Sequence, residues 1–266
     1  MRLPVRAAFY YPWYPENFSA PASKYTPTAG RYDGDDPAVV DRQIRDMQYA
    51  GLQAGIASWW GRGLREDRRF NLLMAEAAKL RFSWSIYYEL ESTGNPTSAQ
   101  IRSDLSYLRK YADKSAFLHV GGKPVVFVYA DGDDACGMAA RWADGAAGWY
   151  VVLKVFGGYR DCARQPQGWH QYAPGGRLDL QQGYSASVSP GFFRYDASTP
   201  LLRRDAVRFR QDVLSVARSK APFQLVTTYN EWGEGTSVES TTDWPSPSGH
   251  GVYVDILHEV FAANPR

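Results

Sequence analysis

The chain alternates short apolar runs with segments whose apolar residues recur every three or four positions, and this alternation restricts its fold more than any other feature. The first apolar run, residues 5–14, predicts a buried strand. Asp36 then suits a helix N-cap, Pro37 the first helical position, and Gly51 the residue beyond the last turn. The first structural unit is therefore predicted to be a strand followed by a helix.

Similar units recur to the end of the chain and add up to nearly eight strand and helix pairs. Further strands are predicted at residues 54–60, 82–90, 124–129, 150–156, 168–172, 180–188 and 223–229. Helices are predicted at residues 68–79, 138–142, 203–218 and 252–261, and around Ile101, Leu105, Leu108 and Tyr111.

This alternation implies a parallel sheet covered by helices, which at 266 residues is either a closed barrel or a doubly wound sheet. No Gly-x-Gly-x-x-Gly follows the first strand, which disfavours a dinucleotide-binding sheet. We therefore predict an α/β fold, a (β/α)8 TIM barrel, with residues 1–266 as a single catalytic domain. In such a barrel the active site lies at the C-terminal ends of the strands.

Charge and hydropathy exclude several classes of partner. Thirty Lys and Arg residues balance 28 Asp and Glu, which argues against a nucleic-acid partner. The sequence has no run of about 18 apolar residues, so no membrane-spanning helix is predicted. Residues 1–4 lead straight into the first strand, so we expect the mature domain of a secreted or extracellular protein, with a cytoplasmic protein as the alternative. We expect a monomer.

Metal and cofactor sites are not predicted. Cys136 and Cys162 lack the neighbouring ligands of a zinc site, and the chain has only 4 His. The two cysteines either form one disulfide of a secreted protein or are two free thiols. The acidic stretch at residues 131–134 lacks the 12-residue spacing of an EF-hand calcium loop and is read as a solvated turn.

Aromatic rings and polar side chains gather at the predicted strand ends. The chain has 9 Trp and 18 Tyr, and pyranose faces stack on such rings. For each ring the alternative to sugar binding is ordinary packing in the core. His170 is either a hydrogen-bond donor to substrate or a structural histidine. The candidate substrate-binding residues are Tyr11, Trp13, Trp60, Glu89, Tyr129, His170, Asn230 and Trp232.

Two carboxylates, Glu231 and Glu234, follow the last predicted strand. A turn at Trp232 and Gly233 brings both into one cleft. Glycoside cleavage uses one carboxyl group as an acid and another as base or nucleophile, and neighbouring like charges separate their titrations. The alternative is a solvated pair, or an ion pair with an arginine such as Arg203.

The string Tyr229-Asn230-Glu231-Trp232-Gly233-Glu234-Gly235-Thr236, followed by Glu239, resembles the signature of glycoside hydrolase family 99, Asn-Glu-Trp-His/Gly-Glu-Gly-Thr and then Ile-Glu. The family consists of (β/α)8 barrels that act on α-mannosides, so the resemblance implies a barrel and a glycan substrate. Further similar segments lie at residues 9–14, 58–61, 123–129 and 189–192.

The resemblance also implies roles for individual residues. Glu231 resembles the family's base, which deprotonates the sugar's own 2-hydroxyl so that this oxygen attacks the anomeric carbon. Glu234 resembles the acid that protonates the leaving oxygen and later activates water, with overall retention. Glu89 resembles a glutamate that contacts sugar hydroxyls, and the positions that resemble the family's cleft lining are Tyr11, Trp60 and Tyr129.

The leading hypothesis is a retaining, endo-acting hydrolase of an α-linked glycan, similar to endo-α-mannosidases. One alternative is a hydrolase of another glycan, such as an α-glucan or arabinan, with the same carboxylates. A non-catalytic glycan-binding barrel is a second, although it needs no acid and base. The third is a glycosyltransferase-associated barrel of polysaccharide biosynthesis, which the absence of a phosphate-cradling Gly-rich loop disfavours.

Overall fold

Ten strands form the sheet of the computed structural model, which describes residues 1–19 and 23–266. Eight of them are parallel neighbours, and β4 and β8 are short antiparallel additions to β5 and β9. The strands are β1 (Val5–Tyr10), β2 (Ala54–Trp59), β3 (Ser83–Tyr88), β4 (His119–Val120), β5 (Lys123–Val128), β6 (Tyr150–Lys154), β7 (Gly168–His170), β8 (Leu178–Gln181), β9 (Ser185–Val188) and β10 (Phe223–Val226).

The parallel strands follow one another in the order β7-β6-β5-β3-β2-β1-β10-β9, so the first and last strands of the chain are neighbours. Val5 pairs with Phe223 across that junction. A side-chain hydrogen bond connects the end of β7 to β9: Ser187 Oγ donates to the carbonyl oxygen of Gln171 at 2.6 Å. The nearly closed barrel confirms the predicted TIM-barrel class.

Seven α-helices are assigned within the described residues, and they cover the sheet. Asp36 caps the first helix by accepting a hydrogen bond from the N–H of Ala38 at 2.9 Å, with Pro37 as its first residue, as predicted. None of the helices in residues 1–19 and 23–266 is long and apolar enough to cross a membrane. The helices are α1 (Pro37–Tyr49), α2 (Arg65–Leu80), α3 (Glu91–Gly94), α4 (Ser98–Ala112), α5 (Cys136–Gly145), α6 (Ala206–Arg218) and α7 (Val252–Ala263).

The second half of the barrel departs from the predicted repeat. The single strand predicted at residues 180–188 is wrong, because Gly183, at φ 82°, turns the chain between β8 and β9. A 3-10 helix, Tyr159–Asp161, follows β6, and β8 follows β7, so neither strand has its own α-helix. Several strands also end earlier than predicted, since their last residues leave the ladder to form the loops of the upper rim.

A disulfide joins Cys136, the first residue of α5, to Cys162 in the loop after β6. Their Cα atoms are 5.3 Å apart and 26 positions separate them in sequence. Of the two alternatives left open by the sequence, the structure contains the bonded pair. The bond ties the segment that lacks a covering helix to the neighbouring strand and helix unit.

Candidate active site

The segment after β10, residues 227–239, folds back on itself and carries both glutamates. Thr228 N donates to the carbonyl oxygen of Thr236 at 3.1 Å, and Glu231 N donates to Thr228 Oγ1 at 2.8 Å. Gly235 has φ 65°, and a Cβ there would lie 2.7 Å from the carbonyl oxygen of Phe193, so only glycine fits without a shift. We call residues 227–239 the catalytic turn.

Glu231 and Glu234 converge on one cavity at the C-terminal ends of the strands. Glu234 N donates to Glu231 Oε1 at 3.1 Å, and Tyr172 Oη donates to Glu234 Oε2 at 2.9 Å. Within the part of the chain that the structure describes, neither glutamate has a Lys or Arg nitrogen within 4.0 Å. The ion-pair alternative is therefore wrong, and Arg204, next to Arg203, instead binds main-chain oxygens of the turn.

The cavity has a volume of about 200 Å³. Its walls come from the loops that follow β1, β2, β3, β5, β7 and β10, which is the rim where a barrel places its active site. Five aromatic rings and three carboxyl groups line it: Tyr11, Trp13, Trp60, Tyr129, Tyr172, Glu89, Glu231 and Glu234.

Burial shifts all three carboxyl groups toward the protonated form. Loss of hydration raises the pKa of Glu231 well above its usual value, and the nearby charge of Glu234 adds to that rise. Burial raises the pKa of Glu234 to about 7, although the Tyr172 hydrogen bond opposes the rise. Burial raises the pKa of Glu89 to about 8, even though Ser58 Oγ donates to its Oε1 at 2.8 Å. The cavity therefore retains transferable protons near neutral pH.

Three buried polar atoms at the cavity have no hydrogen-bond partner within the described residues: Glu231 Oε2 and the indole Nε1 atoms of Trp13 and Trp60. A buried polar atom without a partner costs roughly 1–3 kcal/mol. The residues that line the cavity thus carry one carboxyl oxygen and two indole N–H groups that no described side chain satisfies.

Asn230 and Trp232 do not line the cavity, and the prediction that they bind substrate is wrong. Asn230 Oδ1 accepts from Tyr11 N at 2.8 Å and its Nδ2 donates to the Tyr11 carbonyl oxygen at 3.1 Å. The indole N–H of Trp232 donates to Tyr32 Oη at 3.0 Å. Both side chains are fully buried and hold the catalytic turn against its surroundings.

His170 is also wrongly predicted as a substrate contact. It is fully buried inside the barrel, where Nε2 lies 3.0 Å from Tyr87 Oη and the ring centroid lies 5.7 Å from that of Phe9. Burial lowers the pKa of His170 to about 3, so the ring is neutral. It packs within the aromatic layer of the barrel interior.

Tyr172 is the cavity residue that sequence reasoning missed. Its hydroxyl accepts from Tyr11 Oη at 2.9 Å and donates to Glu234. The signal was available, because inward-facing residues alternate along a strand, and position 172 lies two residues nearer the rim than His170. His170 was predicted to contact substrate at that strand end, but it lies too deep in the barrel to reach the cavity.

The acidic stretch at residues 131–134 does not face the cavity, and Asp134 pairs with Arg141. Among residues 1–19 and 23–266, no group of three or more His, Cys, Asp or Glu side chains is arranged to hold a metal ion.

Comparison with known families gives one match. The model of glycosyl hydrolase family 99 matches residues 15–145, which end before the catalytic turn. No curated protein matches the chain.

Solved structures match along nearly the whole chain. The family 99 endo-α-mannosidase of Bacteroides thetaiotaomicron, in complex with bis-tris propane, has a TM-score of 0.76 at 19% identity over 98% of this chain and 96% of that one. A second structure of an endo-α-mannosidase from that organism has a TM-score of 0.75 at 18% identity over 100% of both chains. A glycoside hydrolase-like protein has a TM-score of 0.71 at 14% identity, over 100% of this chain and 95% of that one. The chain is thus similar to glycoside hydrolase family 99 in sequence over residues 15–145 and in fold along nearly its whole length.

Proposed function

We propose that this protein hydrolyses an α-linked, mannose-containing glycan, with Glu234 as general acid and Glu231 as base. The observation that carries the proposal is the direct link between Glu231 and Glu234 in one buried, ring-lined cavity. The similar solved structures include endo-α-mannosidases, which supports mannose as the sugar.

Glu234 is suited to donate and recover a proton. Its pKa of about 7 leaves a protonated fraction near neutral pH, which is the condition for an efficient general acid. In the first step the Glu234 proton passes to the leaving glycosidic oxygen as the bond to the anomeric carbon breaks. In the second step the carboxylate takes a proton from the attacking water.

Glu231 is suited to take a proton from a sugar hydroxyl, because its buried Oε2 has no hydrogen-bond partner among residues 1–19 and 23–266. By substrate assistance, that proton leaves the 2-hydroxyl as its oxygen forms a bond to the anomeric carbon, and Glu231 returns it when water opens the intermediate. Two inversions give net retention. A raised pKa makes the Glu231 carboxylate a stronger base once it has lost its own proton.

The two glutamates titrate as a pair, so the proton distribution depends on what occupies the cavity. The Tyr172 hydrogen bond stabilises the Glu234 carboxylate, which favours the proton on Glu231 in the free protein. Catalysis needs the opposite distribution. Bound substrate favours this opposite distribution. A leaving oxygen beside Glu234 favours a proton on Glu234, and a sugar hydroxyl at Glu231 Oε2 favours the Glu231 carboxylate.

The aromatic wall supports an oligosaccharide rather than a single sugar. Trp13 and Trp60 line the cavity and also a second hollow of about 460 Å³, which reaches Asn17 and Arg65. Indole faces shared by adjoining hollows suit consecutive pyranose rings. We therefore propose internal attack on a chain, with Tyr11 and Tyr129 beside the bond that is cleaved.

The test is a panel of α-mannan, α-glucan and arabinan, assayed by released reducing ends with and without a nucleotide-sugar donor. We expect release from α-mannan without the donor. Release only from α-glucan or arabinan would transfer the proposal to another polymer. Donor-dependent synthesis would identify a transferase, and binding without any release would identify a glycan-binding barrel.

We also propose a secreted or extracellular location, supported by the Cys136–Cys162 disulfide, since such bonds persist in oxidising compartments. Thiol labelling of the unreduced protein from its native source tests this location. A monomer remains our prediction, to be measured by light scattering.

A further inference from the structure

Another buried carboxyl, that of Glu239, lies at the end of the catalytic turn and outside the catalytic cavity. It is 3% exposed. Tyr32 Oη donates to its Oε2 at 2.8 Å, Gln43 Nε2 donates to its Oε1 at 3.1 Å, and an Arg42 nitrogen lies 3.5 Å from Oε1. The mechanism above makes no use of this group.

The three described side chains that reach the Glu239 carboxyl, those of Tyr32, Arg42 and Gln43, are all hydrogen-bond donors to it. Gln43 cannot turn its oxygen toward Glu239, because that oxygen already accepts from Tyr10 Oη at 2.6 Å. Arg42 has only donors. Glu239 is therefore held as an acceptor by two residues of α1 and by Tyr32.

Because Tyr32 Oη donates to Glu239, its oxygen is available as an acceptor on the other side. The indole N–H of Trp232 donates to it at 3.0 Å, and Asn230 Nδ2 lies at the longer distance of 3.5 Å. These two residues immediately precede and follow Glu231. One hydroxyl, oriented by Glu239, thus restrains both neighbours of the proposed base.

We propose that Glu239 is a positioning residue that sets the place of the Glu231 carboxyl through Tyr32, an inference that rests on the proposed function. Glu239 touches neither the cavity nor Glu231, so it acts on the geometry of the pair and not on the bond that breaks. A displacement of about 1 Å at a reacting group can cost about 10²-fold in rate.

The experiment compares Glu239→Gln and Tyr32→Phe with the wild-type protein. A glutamine at 239 turns an N–H₂ either toward Gln43 and Arg42, which donate, or toward Tyr32, whose hydroxyl then loses its acceptor. We expect kcat to fall about 10- to 100-fold in each variant while KM changes less than about threefold. The double variant is expected to lose no more than the worse single variant, because both act through one hydroxyl.

Glu76→Gln is the matched control. Glu76 is 4% exposed on α2, and its Oε1 accepts from Lys79 Nζ at 2.6 Å, far from the turn in sequence. We expect this variant to keep kcat within about twofold. The proposal is overturned if Glu239→Gln also keeps kcat within about twofold, or if the losses of the two single variants multiply.

A readout without substrate separates this inference from the proposed function. Carbon-13 detected titration of the glutamate carboxyls follows Glu231 and Glu234 in the free protein. We expect their apparent pKa values to shift by at least about half a unit in Glu239→Gln and not in Glu76→Gln, since the coupling of the pair depends on its geometry. Unchanged titration overturns the positioning role, whereas a shift in a protein that cleaves no glycan overturns only the proposed function.

Discussion

The main-chain N–H of Glu234 donates to the carboxyl oxygen Oε1 of Glu231 at 3.1 Å, so the proposed base is held by the backbone of the proposed acid. The other oxygen of Glu231 is buried without a partner within the described residues. The turn therefore fixes one oxygen and leaves the second for substrate. This asymmetry separates the roles of the two glutamates and can be tested by changing one side chain at a time.

Glu234→Gln is expected to remove cleavage while binding survives. The variant keeps the main-chain N–H that holds Glu231, and the amide oxygen can still accept from Tyr172. Loss of a general acid lowers kcat by about 10²- to 10⁴-fold. Released reducing ends measure the rate, and calorimetry with an α-mannan oligosaccharide measures binding. Equal loss of binding and rate would assign Glu234 to substrate recognition instead of proton transfer.

Tyr172→Phe is expected to shift the pH dependence of kcat, which reports the titration of the complex with substrate. The Tyr172 hydroxyl stabilises the Glu234 carboxylate and so lowers its pKa, which burial holds at about 7. In the complex with substrate the proposed distribution places the proton on Glu234, so kcat of the wild-type protein should fall about tenfold per pH unit once the pH exceeds the pKa of Glu234. This fall is the alkaline limb of the profile. Without the hydroxyl the pKa rises further, and this alkaline limb moves to higher pH.

Tyr129→Phe is the matched control for that profile. Tyr129 lines the same cavity, and its hydroxyl makes no hydrogen bond to either glutamate within the described residues. We expect its alkaline limb to stay where the wild-type limb lies. A limb that moves to lower pH in Tyr172→Phe would contradict the role given to the hydroxyl.

Local signals in the sequence predicted most of the fold. Asp36 and Pro37 mark the start of α1 through contacts within three residues, and alternating apolar runs identify the barrel strands. Glu231 and Glu234 meet because Gly233 and Gly235 let a short segment turn, which the spacing also predicted. Each of these features depends on neighbours in the chain.

The features that were not predicted depend on distant residues. Tyr172 reaches Glu234 across 62 positions, and Asn230 holds the backbone of Tyr11 across 219. No periodicity distinguishes an asparagine that ties two strand ends together from one that contacts sugar. The hairpin at Gly183 was missed for a related reason, because β8 is half-exposed and lies at the end of the sheet, where it pairs with β9.

Glu89→Gln is expected to stabilise the protein more at pH 8 than at pH 5. Burial raises the pKa of Glu89 to about 8, so the folded protein keeps a proton that the unfolded chain releases. The contribution of Glu89 to the free energy of unfolding is complete below about pH 4.3 and is lost as pH rises through about 8.

Glutamine has no proton to lose, so the difference in the free energy of unfolding between variant and wild type should rise by about 1.4 kcal/mol per pH unit over that interval. Its amide oxygen can still accept from Ser58. Urea unfolding at pH 5 and pH 8 measures the difference. The same difference at both pH values would show that Glu89 carries a charge in the folded protein.

Replacing both Cys136 and Cys162 by serine is expected to destabilise the protein without changing the chemistry of the folded state. Closing a loop of 26 residues in the unfolded chain corresponds to about 3.5 kcal/mol of stability in the chain-entropy model. Neither cysteine lines the catalytic cavity, so kcat per folded molecule should remain within about twofold. Urea unfolding measures the stability, and wild-type protein treated with dithiothreitol should unfold at the same midpoint as the double variant. A wild-type midpoint that dithiothreitol leaves unchanged would mean that the two thiols are not joined in solution, and the proposed oxidising location would lose its support.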